Sequence, residues 1–236
     1  MGRGILYGAV GAEYFAEAVI SARSSLRHND LPHVVFTDAD RDAGHGIEVR
    51  VVEPSENPYA DKIRSMLASP FERTIYLDSD TYVLDDLSDL YALLDRFDLA
   101  ACHSPGYRGL SDPDVPASFY ELNTGLVAWR REPETTAFLE DWLATYERWS
   151  REPPFPHAGD PGGYADQPAF RHCMWTHRLR LCVVGHEYCL RTPQCAQVAD
   201  RVRVIHGRHE DFERVALIAN RERRARIFPR GTFEGM

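Results

Sequence analysis

The chain has 236 residues, enough to bury a substantial core as one large domain or two small ones. Its 44% hydrophobic and 27% charged residues are typical of a soluble globular protein. The formal net charge of −9 argues against nonspecific binding to nucleic acid, which requires a strongly cationic surface. No segment has the uninterrupted apolar length of a membrane helix.

The N-terminal sequence and the cysteines predict a cytoplasmic protein. Residues 1–14, MGRGILYGAVGAEY, lack the long apolar segment of a signal peptide. The chain has five cysteines, an odd number, and the last four lack the paired close spacing of a zinc ribbon. We expect reduced thiols, with a structural zinc site as the alternative.

Strands and helices alternate along the first part of the chain. Residues 4–10 predict a strand, and further strands are predicted at 33–38 and 47–52. Between the first two strands, apolar residues recur at the spacing of one helix face: Phe15, Ala18, Val19, Ala22 and Leu26.

The pattern continues with a short helix near 60–69 and a strand at 73–77, which ends in Asp78-Ser79-Asp80. A proline- and glycine-rich segment at 151–170 predicts a long ordered loop that leads into a short helix. The other predicted elements are a helix at 87–94, strands at 98–102 and 123–129, a helix from Pro133, and strands at 178–184 and 200–206.

This order of elements predicts an α/β fold with a mostly parallel central sheet flanked by helices, and added mixed strands in the C-terminal half. Because no linker separates the two halves, we expect a single domain over residues 1–236. Within it we expect a nucleotide-binding half at about 1–100, a sugar- and acceptor-binding half at about 101–215, and a basic tail at 216–236.

The two carboxylates of Asp78 and Asp80 lie where ligands bind in open α/β sheets, beyond the carboxyl end of a strand. Side chains two residues apart in an extended segment could both reach one cation. Hard divalent ions such as Mg²⁺ and Mn²⁺ prefer oxygen ligands, and such an ion would relieve the repulsion between the carboxylates. The alternative is that both are solvated turn residues that cap the next helix.

Several motifs in order resemble the retaining nucleotide-sugar glycosyltransferases of the glycogenin and bacterial galactosyltransferase type. The segment 61–94 carries a basic helix residue, Lys62, before a strand that ends in LDSDTYVL. The N-terminal LYGAVGAEYF resembles the family's nucleotide-binding start. Three further matches follow: LNTGLVAW, YADQPAF and VRVIHGR. The resemblance extends from about residue 4 to about 212.

The resemblance implies a GT-A fold and transfer of a sugar from a nucleotide-diphosphate donor, most often a UDP-sugar, to an unidentified acceptor. It also implies a Mn²⁺ or Mg²⁺ ion held by Asp78, Asp80 and His206. As the leaving diphosphate gains negative charge, this ion would neutralise it as a Lewis acid. Retention of configuration is implied by the resemblance alone.

The other implied roles concern the donor and its sugar. Tyr14, Lys62, Asp78, Gly207 and Arg208 would contact the nucleotide diphosphate. The implied sugar-facing catalytic residues are Asp166, Gln167 and Asn123. The family usually continues from its histidine as H-x-G-x-x-K, whereas this chain has His206-Gly207-Arg208 with no lysine at that offset. We expect Arg208 to substitute, because a guanidinium also binds phosphate oxygens.

Each of these residues also has a structural interpretation. Lys62 could be a surface helix residue, His206 a structural histidine, and Asn123 a partner for a backbone group. Asp166 and Gln167 could cap a helix, since Pro168 follows like a first-turn proline. Core packing would explain Tyr14 equally well.

Three other functions are compatible with parts of the pattern. Haloacid-dehalogenase-like phosphatases also use D-x-D after a strand, but nearer the start of the domain and usually with Thr or Val where Tyr82 stands here. A sugar-phosphate nucleotidyltransferase would want a glycine-rich basic loop, and GAVGAEYF contains no Lys or Arg. A non-catalytic nucleotide-sugar-binding protein would bind the donor without turnover.

The C-terminal segment NRERRARIFPR is rich in arginine. A solvated helix face is the simpler interpretation, and docking to an acidic membrane surface is the alternative.

Overall fold

The structure is a computed structural model that describes residues 2–104, 112–155 and 165–236. Part of the loop predicted at 151–170 therefore lies outside the described residues. Within the described ranges, no helix is both long enough and apolar enough to cross a bilayer.

The described residues form twelve strands and six α-helices. The strands are β1 (Arg3–Gly8), β2 (His33–Thr37), β3 (Ile47–Val51), β4 (Arg73–Leu77), β5 (Thr81–Val83), β6 (Leu99–His103), β7 (Leu122–Arg130), β8 (Leu181–Val184), β9 (Leu190–Arg191), β10 (Ala196–Val198), β11 (Val204–His206) and β12 (Arg226–Phe228). The helices are α1 (Ala12–Leu26), α2 (Pro58–Leu67), α3 (Asp89–Leu93), α4 (Pro133–Arg151), α5 (Asp166–Thr176) and α6 (Phe212–Ala219).

Seven strands form the central sheet in the order β3-β2-β1-β4-β7-β6-β8. Neighbouring strands are parallel except for β7, which is antiparallel to both β4 and β6. This arrangement confirms the predicted α/β fold with a mostly parallel sheet. Strands β1 and β4 are adjacent and parallel. The chain segments that follow these two strands therefore emerge side by side at the carboxyl ends of the strands.

Helices cover both faces of the sheet, as the alternation of side chains in the strands requires. Leu6 and Tyr76 point to one face, where they pack with residues of α2, α4 and α5. Ile5 and Ile75 point to the other face, where they pack with residues of α1 and α3. The two apolar layers therefore pack against both faces of the sheet.

Two small sheets complete the C-terminal half and confirm the predicted mixed strands. One has the order β5-β11-β9, and the other pairs β10 with β12. Helix α6 packs against them through Val215 and Ala219 in a third apolar cluster. Strand β11 lies within the strand predicted at 200–206. The other strands of two or three residues and the short helix α6 were not predicted, because so few residues show no clear hydrophobic period.

The first strand leaves no room for a side chain at Gly4. A Cβ atom there would lie 2.2 Å from Cζ of Phe71, whose ring is fully buried. We expect Gly4→Ala to lower the free energy of unfolding by roughly 1–3 kcal/mol, the usual cost of overpacking, measured by urea denaturation. Gly2→Ala is the matched control, since nothing lies within 4 Å of its Cβ position. Equal stability of the two variants would contradict the prediction.

Candidate functional site

The pairing of β5 with β11 brings His206 beside the two aspartates. His206 is opposite Thr81 in this antiparallel ladder. The turn between β4 and β5 is held by Thr81, whose hydroxyl donates to the Asp78 carbonyl (2.8 Å). The Gly207 N–H donates to the Asp80 carbonyl (2.8 Å). Residues more than a hundred positions apart in sequence therefore meet at the end of β4.

Asp78, Asp80 and His206 form a candidate metal centre. The Nε2 atom of His206 is 3.2 Å from Oδ1 of Asp80 and 3.6 Å from Oδ2 of Asp78. The three potential ligand atoms all lie within 4.8 Å of one another. Two carboxylates and one imidazole at this separation fit a Mn²⁺ or Mg²⁺ ion, which would leave further coordination positions for phosphate oxygens.

Without a cation, Asp80 and His206 hold each other in charged form. Burial by itself would lower the pKa of His206, but attraction to the Asp80 carboxylate raises it to about 10. Burial would conversely raise the pKa of Asp80, but charged His206 and the nearby Arg191 and Arg208 hold it far below its usual value. A metal ion would have to displace the His206 proton, because only a neutral imidazole nitrogen binds metal.

Two glycines near this histidine occupy positions where no side chain fits. A Cβ atom on Gly125 would lie 2.1 Å from Cε1 of His206, so no other residue fits below the imidazole. Gly207 has φ of +143°, and a Cβ atom there would lie 2.3 Å from the hydroxyl oxygen of Thr192. The glycines of the NTG and HGR motifs are therefore explained by space at the metal centre and by backbone conformation.

Lys62 lies at the centre of a buried charge network. Its Nζ atom is 2.8 Å from Oδ1 of Asp78 and 3.1 Å from Oδ2 of Asp166. It also donates to the Thr124 hydroxyl (3.0 Å), which donates in turn to Asp166 (2.7 Å). Burial would lower the pKa of Lys62, but the two carboxylates outweigh it and raise the pKa. Lys62 is the only lysine of the chain, which has 26 arginines.

Arg208 is paired with Glu17 at the mouth of the site. Its Nε and Nη2 atoms are 2.5 and 3.1 Å from the Glu17 carboxylate oxygens, and Nη1 is 3.8 Å from Oδ2 of Asp80. The guanidinium lies over the ring of Tyr14, which is 40% exposed. Tyr14 is therefore a surface residue of α1 at the site and does not belong to the core.

A cavity of about 250 Å³ connects these groups. Eight of the residues predicted for the site line it: Tyr14, Lys62, Asp78, Asp80, Asp166, Gln167, His206 and Arg208. Gly207 does not line this cavity, but its N–H donates to the carbonyl of Asp80, which does. A larger and more apolar cavity of about 470 Å³ adjoins it past Ser79 and Arg208, away from Lys62 and Asp166.

Asn123 is not among the residues that line this cavity. It is 1% exposed, and its Oδ1 accepts the N–H of Gly125 (2.8 Å) and faces the Cys189 thiol (3.4 Å). Its Nδ2 atom has no hydrogen-bond partner among the described residues. Asn123 thus lies behind the metal centre, and contact with a sugar stays a prediction.

Sequence reasoning did not single out several residues of this site. Arg191 lines the cavity with Nη1 3.8 Å from Oδ2 of Asp80, and Ser79 donates to Glu17 (2.9 Å). Thr124 stands inside the NTG motif, so its polarity within a buried strand was a usable signal. Arg191 and Glu17 had no such signal, because their partners are distant in sequence.

No family model matches the chain, and no match was found among curated proteins. Solved structures do resemble it. The galactosyltransferase LgtC, solved with donor and acceptor sugar analogues, is 14% identical with a TM-score of 0.59, over 88% of this chain and 87% of that chain. GlyE of Streptococcus pneumoniae is 13% identical with a TM-score of 0.57, over 89% of this chain and 56% of that chain.

Mouse xyloside xylosyltransferase 1 is 12% identical with a TM-score of 0.56, over 88% of this chain and 98% of that chain. At such low identity the likeness shows the fold. It confirms the GT-A architecture that the sequence motifs predicted.

The Lys62 network generates a prediction about stability. Removing one partner of a buried ion pair leaves an uncompensated charge, so we expect Lys62→Met to lower the free energy of unfolding by about 3–5 kcal/mol in urea. Arg64→Met on the same helix is the control. Its side chain is 46% exposed and pairs with Glu147 at the surface, so its loss should cost about 1 kcal/mol or less. A Lys62 variant as stable as the control would contradict this network.

The His206–Asp80 pair generates a prediction about pH. The folded-state pKa of about 10 lies above the ordinary value of 6.5, so charged His206 stabilises the metal-free protein. This stabilisation is fully present below pH 6.5 and is lost as the pH rises through about 10. In EDTA, the gap in unfolding free energy between wild type and His206→Gln should therefore narrow across that range. A gap independent of pH would show that the ring is not charged.

Proposed function

We propose that this protein is a metal-dependent glycosyltransferase that moves a sugar from a nucleotide-diphosphate donor, most simply a UDP-sugar, to an acceptor. The observation that carries the proposal is the meeting of Asp78, Asp80 and His206 at a strand-end cavity in a fold shared with glycosyltransferases. The structure of LgtC with donor and acceptor sugar analogues supports the same class of substrates here.

Asp78, Asp80 and His206 would hold a Mn²⁺ or Mg²⁺ ion, which when bound supplies Lewis-acid neutralisation of the leaving diphosphate. The chain's own cations act beside it. Arg208 and Arg191 lie within 3.8 Å of the Asp80 carboxylate and can donate to phosphate oxygens. Lys62 supplies a fixed buried charge, which needs no reorganisation when negative charge develops on the donor.

The sugar half of the donor would lie against the first turn of α5. Asp166 and Gln167 begin this helix and face the cavity. We assign them to binding of sugar hydroxyls and to stabilisation of positive charge on the sugar. Asp78 would also contact the ribose of the nucleotide, and Tyr14 the nucleotide base. This division agrees with an N-terminal half that binds the nucleotide and a C-terminal half that binds the sugar.

Retention of configuration belongs to this proposal. The bond from the anomeric carbon to the β-phosphate oxygen breaks while the acceptor oxygen attacks the same face. The departing phosphate oxygen accepts the acceptor's proton. No protein nucleophile is required in this scheme, in which Oδ2 of Asp166 stays bound to Lys62 and Thr124.

Partner and location stay predictions. Of the basic tail, Arg221 and Arg223 are exposed, while Arg224 pairs with Glu222 and Arg226 donates to backbone carbonyls. Part of the tail's charge is thus already engaged within the chain, so contact with an acidic membrane would rest on the remainder. The cytoplasmic location predicted from the cysteines and the N-terminus also stays a prediction.

The proposal predicts that nucleotide sugars bind only together with the metal. In a thermal-shift panel, we expect a UDP-sugar to raise the melting temperature with Mn²⁺ and not in EDTA, and Asp80→Asn to abolish the gain. Asp40→Asn is the matched control, since Asp38-Ala39-Asp40 is a second D-x-D outside the cavity. A product assay by NMR then reads turnover and anomeric configuration.

The single lysine provides a second measurement on the same complex. With ¹⁵Nζ-lysine, the protein contains one labelled ammonium, 2.8 Å from Asp78. We expect Mn²⁺ with UDP to broaden this signal and Mg²⁺ with UDP to shift it. Stabilisation by a sugar phosphate without metal would instead favour a phosphatase or nucleotidyltransferase, and binding without turnover would favour a non-catalytic protein.

A further inference from the structure

The side of His206 that faces away from the aspartates contacts a cysteine. While Nε2 of His206 points to Asp80, its Nδ1 atom is 3.3 Å from Sγ of Cys189. Both residues are buried, His206 at 3% and Cys189 at 1% exposure. The thiol also contacts Asn123, whose Oδ1 lies 3.4 Å from Sγ.

We propose that Cys189 is a positioning residue for the metal ligand His206, an inference that rests on the proposed function. A histidine that binds metal through Nε2 must carry its proton on Nδ1, and a second group normally accepts that proton and fixes the ring. Cys189 occupies this place. The Nδ1–H donates to Sγ, and the S–H donates to Asn123.

The backbone around Cys189 holds the sulfur in position from both sides. A single 3₁₀ turn, His186–Tyr188, precedes it, and the Cys189 N–H donates to the His186 carbonyl (3.2 Å). Directly after it, Leu190 pairs with Ile205 in the β9–β11 ladder. The strand that carries His206 is therefore bound to the segment that carries the thiol, and the two side chains keep a fixed distance.

Asn123 completes the arrangement from β7. Its Oδ1 is already engaged by the Gly125 N–H (2.8 Å), so the amide oxygen is fixed before it meets the thiol. Gly125 in turn leaves the space that the imidazole fills. The Asn-Thr-Gly motif thereby supports the back of the metal centre, whereas carboxylates form its front.

A thiol is a weaker acceptor than the carboxylate or carbonyl that usually supports a metal-binding histidine. It can orient the ring, but it adds little electron density to Nε2. The expected consequence of its removal is a loss of orientation, read as weaker metal binding. Serine, which also accepts and donates, should conserve the function, whereas alanine and valine should not.

The test is a titration of the full chain with Mn²⁺, with free Mn²⁺ followed by electron paramagnetic resonance. We expect Cys189→Ala to weaken Mn²⁺ binding roughly 10- to 100-fold and Cys189→Ser to retain most of the affinity. Cys189→Val keeps a filled core without an acceptor, so it replaces the alanine variant if that variant does not fold. Cys173→Ala is the matched control, because this buried thiol belongs to the apolar cluster on the face of the sheet opposite to that of Cys189.

A second measurement reports on the ring itself. In the Mg²⁺-loaded protein, the ¹⁵N spectrum of His206, assigned by its loss in His206→Gln, should show a proton fixed on Nδ1 in wild type and Cys189→Ser. In Cys189→Ala we expect this signal to shift. A purely structural role for Cys189 would leave it unchanged.

Each outcome decides the inference. It is overturned if Cys189→Ala or Cys189→Val binds Mn²⁺ as wild type does, or if Cys173→Ala weakens binding equally. If wild type itself fails to bind Mn²⁺, the proposed function falls and this inference with it. If wild type binds and only the Cys189 comparison fails, the proposed function stands alone.

Discussion

The site depends on one buried ammonium group. Lys62 reaches from α2 to a carboxylate at the end of β4 and to another at the start of α5. Without it, Asp78 and Asp166 would repel each other at the cavity, although apolar packing still holds α2 and α5 against the sheet. Lys62 offsets one of the two negative charges of this pair, and the Asp80 carboxylate lies beside it with His206 as its nearest partner. The same side chain thus takes part in the buried ion pairs of the fold and contacts Asp78, a candidate metal ligand.

A second constraint is geometric. The ladder between β5 and β11 fixes His206 against the aspartates, and Gly125 provides the space in which the imidazole fits. A ligand contributed from so far along the chain is positioned only once the C-terminal small sheet has formed. The metal centre is therefore complete only in the complete fold, since local structure alone would not bring His206 to Asp78 and Asp80.

The larger helices and strands could be predicted from the sequence, but the contacts between them could not. Strand β4 and its terminal Asp78 were predicted because a short apolar run ended in charged residues. His206 could be placed only by resemblance, since nothing local distinguishes a metal ligand from a structural histidine. Cys189 and Glu17 were missed because each matters through a partner far away in sequence. The motif that contains Asn123 was recognised, but the sequence could not show that this side chain contacts Gly125 and Cys189.

That the chain has a single lysine has a practical consequence for protein chemistry. A protease that cleaves after lysine has one peptide bond to attack, between Lys62 and Ile63, and both side chains are buried in a helix at the cavity. Cleavage requires α2 to unwind locally, so the rate of appearance of two fragments measures how often this wall of the cavity opens. Any molecule that binds in the cavity and stabilises the folded form of α2 will slow cleavage of that bond, whatever its identity.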